Sequence, residues 1–130
     1  MTLTEQLKLW YQAGEHENIT TAILALPVPQ RTDELMGELA VAYNNLGRYD
    51  QAILVLHELE SRNRYTWRWQ YRMGYALYYS ALKASGSRQT LRLLEHAGES
   101  FSNALKLSPP EHIRKDCVEF LEWIKEDKKG

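Results

Sequence analysis

One cysteine, four prolines and seven scattered glycines are all that this 130-residue chain carries of the residues that staple, break or hinge a fold. A lone Cys117 forms no internal disulfide and excludes metal sites built on paired cysteines, so a reducing compartment, the cytoplasm, is the expected location. The longest apolar run, Ala22 to Val28, falls far short of the ~20 residues a membrane-spanning helix needs. The N-terminus, MTLTEQLKLWYQAGEHEN, lacks the basic start and apolar stretch of a secretory signal, so no export by that route is expected. Charge of one sign is missing too. A formal net charge of -1 supplies no global attraction to nucleic acid, which makes nucleic acid an unexpected partner.

Chemistry-bearing constellations are equally sparse. The four histidines, at 16, 57, 96 and 112, fall in four different segments, and no pair has metal-ligand spacing within a helix. His57-Glu58 starts like a metalloprotease motif, but Ser61 stands where the second histidine belongs. His112 and Asp116 read as a surface pair four apart, and Cys117 as a small buried hydrophobe in mid-helix. No glycine-rich phosphate loop is present. The expectation is therefore a protein that is not an enzyme and binds no metal or cofactor.

What the chain does have is helical periodicity almost throughout. Leu39, Ala42, Tyr43 and Leu46 fall on one face, and Ala52, Leu56 and Leu59 on the next. Breaks at Gly14, Pro27/Pro29, Gly47, residues 62–65, residues 84–87 and residues 108–110 divide it into seven helices. The segments also resemble one another. WYQAGEHENITTAILAL and YNNLGRYDQAILVLHEL share a glycine, a polar turn and an apolar row at an offset of 33 residues. HAGESFSNALKLSP closes a third unit, in which Ala97, Phe101 and Ala104 repeat the spacing of Ala52, Leu56 and Leu59. Ala52 and Ala97 are further apart than one period, so both helices of the third hairpin are expected to be long.

A period near 34 with two helices per unit marks a stacked helical repeat, in which no hairpin buries its apolar face alone. The middle unit, with Leu39, Ala40, Tyr43, Gly47, Tyr49, Ala52, Leu56 and Leu59, resembles the tetratricopeptide repeat (TPR) family. Met73-Gly74, Ala97, Phe101, Ala104 and Pro109 carry the likeness into the third unit. The first unit departs further, with Trp10 for the tyrosine and Ile19 for the small residue. The resemblance implies a single all-α domain over 1–130, a right-handed helical-hairpin solenoid. Its units cover about 3–29, 31–64 and 66–107, followed by a capping helix over 109–126. Ser108 reads as the N-cap of that last helix, with Ile113, Val118, Leu121 and Ile124 facing inward.

The stretch RNRYTWRWQYRMGYALYY, residues 62–79, holds half of the chain's aromatic side chains. Thr66 reads as a helix cap, and Met73, Gly74 and Leu77 as packing positions, Gly74 admitting a neighbouring helix. Trp67, Trp69 and Tyr78 read as packing mass. Arg68, Arg72, Tyr75 and Tyr79 form one stripe, which in TPR proteins lines a concave groove. The equivalent positions of the first two units are Lys8 and then Glu34, Glu38, Val41 and Asn45. Some family members clamp a peptide's C-terminal carboxylate there, but Thr4 and Glu38 stand where that clamp has lysine and asparagine. Two arginines four apart repel each other unless acids face them, so Arg68 and Arg72 point to a partner or to Glu34 and Glu38 across the groove. The family likeness thus implies a noncatalytic adaptor, chaperone or scaffold for a protein or peptide, an acidic one by this charge pattern. An RNA-binding helical repeat and a homo-oligomer closed on the aromatic stripe are the rival expectations.

Overall fold

Threonine hydroxyls open three helices of this chain. In the computed structural model, which describes residues 1–129, the chain folds as α1 (Leu3–Gln12), α2 (His16–Leu24), a 3₁₀ turn (Val28–Gln30), α3 (Asp33–Asn45), α4 (Tyr49–Asn63), α5 (Trp67–Lys83), α6 (Ser87–Lys106) and α7 (Glu111–Lys128). The described residues form no strand, and none of these helices is long and apolar enough to cross a membrane. The Oγ1 atoms of Thr2, Thr32 and Thr66 accept the amide N–H of Glu5, Leu35 and Trp69 at 3.1, 3.2 and 3.2 Å. Each satisfies a donor that the first helical turn leaves without a partner, a contact whose loss costs about 1 kcal/mol.

Two of the turns are copies of each other. Gly14 and Gly47 both sit in the left-handed region, at φ 74° and 75°. Behind each, the next residue's amide reaches back to the preceding helix, Glu15 to the Trp10 carbonyl and Arg48 to the Tyr43 carbonyl, both at 2.8 Å. Only glycine takes this conformation without Cβ strain, so the two positions punctuate the chain in the same way. The turn between α5 and α6 is built differently, with Gly86 extended before α6. Those two helices are 17 and 20 residues long, the length expected of the third hairpin.

Each helix packs on its neighbours along the chain, and α5 also touches α3 and α7, while the backbone of α1 approaches that of α2 alone. Two apolar clusters result, one spanning α1 to α5 and one spanning α5 to α7, and Leu77 of α5 packs against both. Ala52 and Ala97, the small residues repeated in the sequence, are both fully buried. Gly74 does admit a neighbour: a Cβ there would lie 3.0 Å from three ring atoms of Phe101 on α6. Side-chain bonds lock the helices in register. Trp69 donates its indole N–H to the Leu56 carbonyl at 2.7 Å, and Arg62 grips Asp33 through two bonds of 2.8 and 2.9 Å. Tyr71 and Tyr78 donate to Asp116 and Asp127 at 3.0 and 2.8 Å, fastening α7 to α5.

The start of α7 differs from the sequence expectation. Ser108 adopts φ 56° and does not cap; Pro110 is the last residue before the helix, which runs over 111–128 and not 109–126. The buried face is Ile113, Cys117, Phe120 and Ile124, with Cys117 buried as its mid-helix reading had it. Val118, expected inside, is exposed, and Leu121 is only partly covered. Phe120 takes the inner position because its ring stacks on Phe101.

Candidate functional site

Side chains of α1, of α3 and of the N-terminal half of α5 enclose a cleft of about 640 Å³, and Ile113 of α7 lines it as well. That volume lies within the range of small-ligand and peptide-anchor pockets. Six of the nine residues expected at a groove meet here: Lys8 from α1, Glu34, Glu38 and Val41 from α3, Arg68 and Arg72 from α5. Helical spacing of three or four residues puts each set on one face, which is why the stripe could be read at all. The apolar floor comes from Leu7, Leu35, Tyr71 and Trp67.

Asn45, Tyr75 and Tyr79 are not among the residues lining this cleft. Asn45 is exposed near the end of α3. The two tyrosines are drawn into an aromatic cluster. Their rings lie 4.8 Å apart; Tyr79 stacks on Tyr49 at 5.6 Å, and Tyr75 meets Phe120 edge-on at 5.9 Å. Burial pushes both phenols above their ordinary pKa of 10, with neighbouring tyrosines adding to the effect, so they remain neutral. Lys83 completes the cluster, its ammonium 4.9 Å above the Tyr49 ring and 3.2 Å from the Gly47 carbonyl oxygen. These side chains hold α4, α5 and α7 together.

The two arginines of the cleft differ sharply. Arg68 is exposed, its guanidinium resting 4.5 Å above the ring of Trp67. The Arg72 side chain retains only 21% of its exposure and lies across α3 at Gly37, where a Cβ would come to 2.5 Å from Nη1. Its nearest acid is Glu38, at 3.8 Å, beyond hydrogen-bonding distance. Burial pushes the guanidinium's pKa below its ordinary value, while Glu38 pulls it up and Arg68 pushes it down. It is charged at neutral pH all the same. A second cavity of about 450 Å³ opens between α3, α4 and α5, and Glu34, Glu38, Arg68 and Arg72 line it as well as the cleft.

Trp69 and Tyr78 are buried, as packing mass should be, whereas Trp67 is only partly covered and borders the cleft. Tyr11, Trp67, Tyr71 and Ile113 line the site without having been expected there. Tyr11 lies three residues beyond Lys8 on the same helical face, so extending that stripe would have found it. Nothing in the local pattern places Ile113, which arrives by the path of α7. The described residues contain no group of three or more His, Cys, Asp or Glu side chains arranged for a metal. No protein-family model, curated protein or solved structure matches this chain.

Proposed function

We propose that the protein is a noncatalytic protein- or peptide-binding adaptor, a TPR-like solenoid of three hairpins and a capping helix whose cleft between α1, α3 and α5 receives the partner. The observation that carries this reading is the convergence of cationic, acidic and apolar side chains from three separate helices on one cleft. Binding sites of this sort combine an apolar floor with a few placed charges. The repeated Gly14 and Gly47 turns and the buried Ala52 and Ala97 support the solenoid arrangement. A buried, unpaired Cys117 suits a reducing compartment such as the cytoplasm.

The test is capture with a matched control. Val41→Trp fills the cleft from the middle of α3, and its melting curve is compared with wild type. A captured protein whose isolated peptide binds wild type directly, and binds the Val41→Trp variant at least tenfold more weakly at equal stability, supports the reading. Binding of the same peptide to both forms places the contact outside the cleft and overturns it. Light-scattering mass over a range of concentrations detects self-association, which would make another copy the occupant.

A further inference from the structure

Arg72 is better sheltered than the arginines that form short ion pairs, and it is the worst satisfied of them. Arg62 and Arg48 hold carboxylates at 2.8 Å while 58% and 43% exposed, and Arg31 donates to two backbone carbonyls at 2.9 and 3.1 Å. Arg72, at 21%, makes no guanidinium hydrogen bond to any described residue and faces Glu38 at 3.8 Å. A guanidinium has five donors in a planar fork, and those of Arg72, which still reach water, are open to a better-placed acceptor than Glu38. The guanidinium lies in the space that Gly37 of α3 leaves open, where a Cβ would come to 2.5 Å from Nη1.

We propose that Glu38 is an internal stand-in for a carboxylate of the partner, and that the cleft selects a peptide presenting an acidic side chain beside a bulky apolar one. The inference rests on the cleft being the binding site. The partner's carboxylate would take both prongs of the Arg72 fork, which Glu38 reaches only at long range, and Arg68 at the rim would add a second positive charge. The apolar neighbour would enter between Leu7, Leu35 and Trp67. Glu38, 41% exposed, is free to turn toward water when it is displaced. Glu34 lines the same cleft and carries the same charge but forms no ion pair with Arg72, which makes it the natural control.

The probe is a phage-displayed library of random dodecapeptides, panned on the full chain, with the strongest cleft-dependent binder synthesised and its affinity measured by fluorescence anisotropy. Enriched peptides should carry Asp or Glu next to a large apolar residue. Exposed ion pairs are worth about 0.2–1 kcal/mol, so Glu38→Gln should bind the acidic peptide about 1.4- to 5-fold more tightly, and Glu34→Gln clearly less so. An equal gain from both variants would reduce the effect to net charge and overturn the stand-in, as would no gain from Glu38→Gln. Cleft-dependent peptides without acids would overturn this inference and leave the adaptor reading standing. A library that yields no peptide sensitive to Val41→Trp overturns both.

Discussion

The rings of Phe101 and Phe120 stack face to face, centroids 4.5 Å apart and planes 7° from parallel, joining α6 to α7 directly over the glycine that α5 offers at position 74. Phe101 is fully buried and therefore cannot retreat.

Gly74→Ala should accordingly destabilise the protein even though alanine is the better helix former by about 1 kcal/mol. Gly98, on α6, has only one atom near its absent Cβ, Ile124 Cγ2 at 4.0 Å. Gly98→Ala should stabilise by up to about 1 kcal/mol. Urea midpoints moving in opposite directions are the expected result; a shared direction would contradict the packing at Gly74.

Ala52 on α4 and Ala97 on α6 have no exposed surface. Ala52→Leu or Ala97→Leu should each cost roughly 1–3 kcal/mol by overpacking. An unchanged denaturation midpoint for either would mean that the hairpins do not meet at these residues.

Hydrogen bonds from Arg62 and Asn63 hold the Asp33 carboxyl below its ordinary value of 3.8. The folded state thus binds this proton less readily than the unfolded chain does. The stabilisation is fully present above pH 3.8 and is lost as pH falls through the lowered folded value. Asp33→Asn should lower the melting temperature at neutral pH, and the difference from wild type should close in acid. A gap independent of pH would point to lost packing in place of lost charge.

Burial, with the charge of Asp116 adding to it, pushes the Cys117 thiol up to about 11. At pH 8 the native protein should resist iodoacetamide, with alkylation proceeding at the rate at which α7 opens and rising steeply above the urea midpoint. Rapid stoichiometric labelling without denaturant would show that α7 detaches easily.

Arg68 and Arg72 look equivalent in sequence, and the structure separates them. Arg68→Glu removes an exposed cation–π contact and should cost no more than about 1 kcal/mol. Arg72→Glu sets a sheltered carboxylate beside Glu38 and should cost roughly 1–3 kcal/mol. Arg68→Glu is therefore the variant that separates binding from folding, and equal midpoints for the two would refute the difference in shelter.

The seven helices and the long third hairpin were legible because apolar period, glycine turns and the Thr66 cap act locally, within four residues of Gly14, Gly47 and Thr66, whereas the Thr32 cap was not read. Within α3 and within α5 the cleft residues are short helical steps apart, and the likeness between units, not spacing, linked those two sets to each other and to Lys8. What escaped depends on distant partners. The proline pair after Ser108 resembles a helix start, yet the serine turns left-handed and α7 begins at Glu111, while Phe120, stacked on Phe101 of α6, takes the inner place read for Val118. Tyr75 and Tyr79 continue the arginine stripe on paper, but Tyr49 and Phe120 provide rings for them to pack on, and no local rule announces those partners.

The connectivity governs how the molecule assembles. Every contacting pair of helices is consecutive along the chain or separated by one helix, so contact order is low and no distant ends must meet before native contacts accumulate. The α5–α6 hairpin, long and joined by a three-residue connection, can nucleate first. The others then condense outward from it, on the fast microsecond-to-millisecond timescale of helical proteins. With its backbone close to that of α2 alone, α1 is the last wall of the cleft to arrive and the first to fray.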